Sequence, residues 1–201
     1  MPFKYPQNLE ELIEILKSLP GIGRRSAERM ALAIYKWDDE KTKSLAQILN
    51  TLHQRITKCP RCANFADNGG LCPICSAPNR DTSTVCVVEE ASQIAGIENS
   101  GFFKGTYHVL GGKITPLKGQ EADALNLQPL AERIASGEVK ELVLALGYDI
   151  EGQATAIYVA NMFRDKNIKI TRLAQGLPAG TDIAYVDPAT LAAAISGRKD
   201  I

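Results

Sequence analysis

Four cysteines fall in two CxxC pairs: Cys59-Pro60-Arg61-Cys62 and, nine residues on, Cys72-Pro73-Ile74-Cys75. In each pair a proline directly follows the first cysteine, which favours a tight turn. Paired turns at this separation present four thiolates to one tetrahedral Zn²⁺. The turn Asn68-Gly69-Gly70 lets the second pair fold back on the first. Two disulfides, or four unrelated buried thiols, are the other readings of the same residues. With four ligands there is no open coordination position, so the site reads as structural rather than catalytic. Neither His53 nor His108 has ligand spacing to the cluster, and Cys86 lies in an apolar run as a small core residue.

A second group of residues suits phosphate. Leu19-Pro20-Gly21-Ile22-Gly23-Arg24-Arg25-Ser26-Ala27 places two glycines in a tight hairpin before a helix N-terminus. Gly21 and Gly23 open backbone angles closed to other residues and expose main-chain N–H groups. Ile22 can turn inward as an anchor, and Arg24 and Arg25 stand where a phosphate on those amides would lie. The pattern resembles the helix-hairpin-helix motif, which grips the DNA backbone without reading sequence. An ordinary αα-turn with a glycine C-cap and two solvated arginines is the bland alternative.

A third group is acidic. Glu89 follows one apolar strand-like run, and Asp149 and Glu151 follow another. Ligands of open α/β sheets gather at the carboxyl ends of strands. One Glu and an acid-x-acid pair in these places resemble the Toprim layout, whose carboxylates hold Mg²⁺. They are equally readable as polar loop residues or as a docking surface for a partner.

These residues need elements to position them. Asn8 is a candidate cap for a first helix whose Leu9, Leu12, Ile13, Leu16 and Leu19 share a face, with Glu11 at the capping-box position. A second helix follows the glycines, with Ala27, Met30, Ala31 and Ile34 facing inward. A third is predicted over about Glu40–Lys58 with Leu45, Ile48, Leu49, Leu52 and Ile56 on one side. Beyond the cysteines the period changes. Strands are predicted at Thr84–Val88, Thr106–Leu110, Glu141–Leu146 and Ile168–Thr171, alternating with helices, which implies βαβ units and a mostly parallel sheet. Ile183–Asp187 reads as a short last strand, before a helix over about Pro188–Ser196 capped by Asp187.

The fold class is therefore α+β and multidomain. We place a helix-hairpin-helix region at 1–58 and a four-cysteine zinc finger at 59–80. A Toprim-like α/β domain follows at 81–175, then a C-terminal strand-and-helix segment at 176–201, suited to oligomerisation. The chain has 201 residues, 45% of them hydrophobic, enough for a core, and zero net charge. The charge is unevenly spread: residues 1–58 hold ten Lys/Arg against seven Asp/Glu, and residues 81–201 eleven against fifteen. A basic first part and an acidic last part suggest different partners. No apolar run is long enough for a membrane span, and residues 1–8 carry no leader pattern. A cytoplasmic location, with thiols kept reduced, is the expectation.

The order of parts resembles the RecR family of bacterial recombination mediators. The resemblance rests on Leu19–Ala27, the cysteine quartet, Tyr107–Gly112, Glu151-Gly152-Gln153-Ala154-Thr155 and the Arg172–Gly180 tail, and covers essentially the whole chain. It implies a non-enzymatic, nucleoid-associated protein that forms ring- or clamp-like dimers or tetramers on DNA. It also implies action with RecO and RecF to load recombinase on gapped single-stranded DNA. Two stretches depart from the family's usual pattern. One is Pro116–Glu121, and the other is Gly147-Tyr148-Asp149, where the family more often has an Asn-Pro-Thr-like run. The competing reading is a Mg²⁺-dependent Toprim nuclease or primase using Glu89, Asp149 and Glu151. A sequence-specific regulator fits worst, because the hairpin offers no helix rich in base-reading side chains.

Overall fold

A computed structural model describes residues 4–115 and 122–198. The departure noted at Pro116–Glu121 thus lies outside the described residues. The chain divides into two compact units, the first ending at Arg55 and the second beginning at Ile56.

The first unit is helical: α1 (Gln7–Lys17), α2 (Arg24–Tyr35) and α3 (Asp39–Arg55). Helix α1 starts two residues earlier than the sequence suggests, and Asn8 does not cap it. Pro6 takes the N-cap position with no side-chain cap, and its carbonyl accepts the first ladder bonds, from the N–H groups of Leu9 and Glu10, both at 3.0 Å. Ile13, Ala27 and Ala31 are fully buried and form a small core, flanked by Leu9, Leu12, Leu16 and Ile22. Two alanines at i and i+4 let α1 and α2 approach closely. Asp38 caps α3 by accepting the Lys41 N–H at 2.8 Å. No residue of α3 is buried, and its apolar row of Ile48, Leu49 and Leu52 stays exposed.

The helix predicted through Lys58 stops at Arg55. Ile56–Lys58 is instead a strand, β1, paired antiparallel with β2 (Phe65–Asp67). β-Branched Ile56 and Thr57 favour the extended form, and the ladder gives their backbone partners that a fraying helix end lacks. After a one-turn helix α4 (Pro73–Ser76), the chain runs β3 (Asp81–Val88), α5 (Ser92–Asn99), β4 (Gly105–Val109), α6 (Gln128–Ala135), β5 (Glu141–Ala145), α7 (Ile150–Met162) and β6 (Lys169–Arg172). These four strands make a wholly parallel sheet in the order β4-β3-β5-β6. Strand β3 shows why both faces are covered. Val85 and Val87 point into one core with Leu110, Leu130, Leu142, Leu144, Val159 and Phe163. Cys86 and Val88 point into another with Ile94, Tyr107 and Val109. Burial there pushes the Cys86 thiol up to about 12, as befits a core residue. From β3 the chain goes to β4 on one side and later to β5 on the other. The switch point therefore lies between β3 and β5, where Glu89 and Asp149 emerge.

The predicted last strand is corrected. Ile183–Tyr185 is one turn of 3₁₀-helix, because the Asp182 carboxylate accepts the Ala184 N–H at 3.0 Å and curls the chain away from any ladder. Helix α8 (Pro188–Ser196) follows, with Asp187 accepting the Thr190 N–H at 2.9 Å.

His108 on β4 is fully buried, and its Nε2–H donates to the Asn126 carbonyl at 2.5 Å. Desolvation lowers its pKa from 6.5 to about 4, so the folded protein holds it neutral. Its stabilising contribution is then complete above pH 6.5 and is lost as pH falls toward 4, where the unfolded chain binds a proton that the folded one refuses. Urea unfolding between pH 7.5 and 4.5 should show a loss of up to roughly 3 kcal/mol from this residue. His108→Gln, which cannot take up the proton, should remove that part of the slope.

Candidate metal centre and nucleic-acid interface

The first cysteine turn is closed by the Ala63 N–H donating to the Cys59 carbonyl at 2.8 Å, with Ala63 left-handed at φ 59°. The second is the start of α4, where Cys72 is the N-cap and its sulfur accepts the Cys75 N–H at 3.4 Å. Cys59 Sγ accepts the Cys72 N–H at the same distance, which ties the turns together. The left-handed Asn68 and Gly69 make the connecting hairpin, and the Gly70 N–H donates to the Asp67 carbonyl at 3.0 Å. All four thiols are buried, none is disulfide-bonded, and their sulfurs lie within 4.8 Å of one another. Cys62 and Cys72 sulfurs stand 3.6 Å apart, close to the edge of about 3.8 Å that a tetrahedron with metal–sulfur bonds of about 2.3 Å requires. The donor set therefore fits a closed four-thiolate metal site.

Its charge environment is also built. A hydrogen bond from Cys62 brings the Cys75 thiol down to about 6, while the reciprocal bond and desolvation push Cys62 up. Arg133 of α6 is 8% exposed, and its charge favours thiolates at Cys75 and Cys62. It is fixed by donating to the Tyr107 carbonyl at 2.9 Å and to Thr106 Oγ1 at 2.8 Å. The Cys62 carbonyl accepts the Val109 N–H at 2.8 Å, so the first turn is sewn to β4.

The hairpin of the first unit divides its arginines. Gly21 is left-handed at φ 78°, which favours glycine. Gly23 is not, yet nothing lies within 4 Å of where a Cβ would stand at either residue. Arg24 lies across the surface of the two helices. Its guanidinium pairs with Glu10, with Glu14 Oε1 at 2.7 Å and with Glu28 Oε1 at 2.9 Å. Two of these carboxylates, Glu28 first and then Glu10, hold its pKa above the ordinary value. Arg25 has no ion-pair partner among the described residues, and neither does Arg29, one turn later on the same face of α2.

The acidic residues converge in part. Glu89 is 8% exposed at the end of β3, and its Oε1 accepts the Gly147 N–H at 2.6 Å. Asp149 caps α7 through Oδ1, which accepts the Gly152 N–H at 2.7 Å. Its other oxygen lies 2.6 Å from Lys113 Nζ, and that bond, with the Gly152 N–H, holds its pKa below the usual carboxylate range. A side chain at Gly152 would stand 2.4 Å from the Gly147 carbonyl, so the turn after β5 closes only over glycine. Glu151 is half-buried in the first turn of α7 and reaches neither of the other carboxylates by a hydrogen bond.

Comparison with known proteins decides what this assembly is. The RecR helix-hairpin-helix matches residues 9–53, the Toprim domain residues 83–174, and the RecR C-terminal region residues 176–199. Recombination protein RecR of Desulforapulum autotrophicum is 43% identical over 97% of this chain and 98% of its own length. The chain belongs to the RecR family. RecR of Streptomyces avermitilis is also 43% identical, over 97% of this chain and 98% of its own, and that of Bifidobacterium adolescentis is 37% identical over the whole of both chains. Membership in RecR gives the chain a place in recombination and repair. Within the described residues no helix is long and apolar enough to cross a membrane.

Three residues of this site stand outside the sequence reading. Arg29 was recoverable from its i+4 spacing to Arg25. Lys113 and Arg133 belong to no local pattern, since only the folded sheet brings them to Asp149 and to the cysteines. Substituting Cys72 by Ser should abolish metal retention by the purified protein. Arg133→Met should leave all four ligands in place but weaken retention about tenfold in a chelator competition, since charge around the ligands tunes their affinity.

Proposed function

We propose that this RecR-family chain is a non-enzymatic scaffold that grips DNA by backbone contacts and serves recombinational repair. The supporting observation is the hairpin: Gly21 and Gly23 are exposed with open space about their α-carbons, directly before the N-terminus of α2, and Arg25 and Arg29 on that helix have no ion-pair partner among the described residues. Arg24, engaged by three carboxylates, is the staple between α1 and α2 rather than a phosphate ligand. We read the four-cysteine site as structural Zn²⁺, the ion that four buried thiolates with no open position favour.

A hairpin with two free arginines neutralises few phosphates, so one protomer binds weakly and avidity comes from a dimer or tetramer. The exposed Ile48, Leu49 and Leu52 of α3 support self-association. The partners in this reading are RecO and RecF, which would meet the acidic part of the chain and direct recombinase loading on gapped single-stranded DNA. The setting is the cytoplasm at the nucleoid.

In a salt titration of duplex DNA binding, Arg25→Ala combined with Arg29→Ala should lower affinity and reduce the slope of log K against log salt by about 1.8, from 0.9 per phosphate. Arg24→Ala should leave the slope unchanged and lower the melting temperature instead. A slope that moves with Arg24 and not with the pair would take this hairpin face off the DNA. Incubation with DNA and Mg²⁺ should give neither cleavage nor synthesis.

A further inference from the structure

The Toprim family implies a divalent cation on the carboxylates at the ends of the first and third strands of the sheet. Here the candidate carboxylates are Glu89, Asp149 and Glu151, and all four oxygens of the first two, one from each strand end, already have protein donors. Glu89 Oε1 takes the Gly147 N–H at 2.6 Å, and Glu89 Oε2 takes the Gln93 amide at 3.3 Å. Asp149 Oδ1 takes the Gly152 N–H at 2.7 Å, and Asp149 Oδ2 takes the Lys113 ammonium at 2.6 Å. The same ammonium lies 3.9 Å from Glu89 Oε2, between the two acids.

Lys113 is delivered there by the backbone rather than by a flexible reach. Gly111 and Gly112 have φ of 82° and 149°, and their N–H groups both donate to the Glu89 carbonyl, at 2.9 and 3.0 Å. That turn folds the chain back over the carboxyl end of β3. The Ile114 N–H then donates to Thr155 Oγ1 at 2.9 Å, which fixes the next residue against α7. Lys113 is about one-quarter exposed and Glu89 largely buried, which limits solvent screening between them, whereas Asp149 is more than half exposed. Other charges face the same place. Glu151 adds to the negative field on Lys113, and Arg172 donates to the Gly147 carbonyl at 2.6 Å.

We propose that Lys113 is an internal cation standing where a Toprim site would carry its divalent metal, so that Glu89 and Asp149 are structural ion-pair and capping residues rather than metal ligands. Mg²⁺ demands oxygen ligands at about 2.0–2.1 Å in near-octahedral order. To meet that demand here it would have to take oxygens from amide and ammonium donors. It would also sit within a few ångströms of a fixed positive charge, where like charges repel strongly. The residues therefore do not fit the ion that the fold implies. This inference is independent of the hairpin's contact with DNA and stands or falls separately.

The test uses the full-length protein with its cysteine site loaded, and Mn²⁺ as a probe followed by its EPR signal, with Mg²⁺ as competitor. The wild type should show no saturable Mn²⁺ binding up to millimolar metal. Lys113→Met should gain one Mg²⁺-competable site, at least about tenfold tighter than anything in the wild type, and a further Glu89→Gln substitution should remove it. Lys113→Gln gives a second version of the same measurement if the methionine variant loses its circular-dichroism spectrum. Saturable binding by the wild type that Glu89→Gln abolishes would overturn the proposal without reference to any Lys113 variant. Folded Lys113 variants that gain no site would overturn it too, because Lys113 would then not be what keeps metal out.

Discussion

Four thiols in one buried volume cannot all give up their protons unless positive charge comes with them. That constraint governs the second unit from Ile56 to α6. The hairpin of β1 and β2 and the one-turn helix α4 exist to bring the sulfurs within 4.8 Å of one another. Main-chain N–H groups turn toward two of the sulfurs, and a buried guanidinium from α6 supplies charge from the sheet side. The same guanidinium is tethered to β4, and β4 is bonded to the first cysteine turn. Cysteine turns, buried guanidinium and sheet edge are thus one electrostatic and hydrogen-bonded structure. The protonation state of the sulfurs decides whether it holds.

Charge is handled differently in the other two regions. In the hairpin, neighbouring arginines have opposite assignments: Arg24 is consumed by Glu10, Glu14 and Glu28, and Arg25 is left to solvent. At the switch point of the sheet, two acids that could have held a metal are consumed by a lysine and by loop amides. A residue's type announces the chemistry available to it. Its neighbours decide whether that chemistry is turned outward or spent internally.

The cysteine pairs, the two-glycine hairpin and the βαβ alternation were legible in the sequence, because each is carried by short-range spacing that physics constrains tightly. Period-two burial in β3 and Asp187 as a cap follow from local rules alone. Boundaries that depended on competition between local options were less legible. Pro6 displaced Asn8 as the cap, a ladder with β2 took Ile56–Lys58 from the third helix, and the Asp182 side chain turned Ile183–Tyr185 into a 3₁₀ turn. The partners of Arg24, Lys113 and Arg133 were not legible. Apart from Glu28, one turn from Arg24 on α2, they come from other elements, and in the case of Lys113 and Asp149 from 36 residues away.

Glu89 is bonded twice over. Its main-chain oxygen receives the Gly111 and Gly112 amides that follow β4, and its side chain receives the Gly147 amide that follows β5. Opening either loop would strand part of a buried carboxylate residue without partners, so the loops on the two sides of β3 are joined in one cooperative unit. In the language of hydrogen exchange, the protection of three glycine amides from two separate loops depends on one acceptor residue, Glu89.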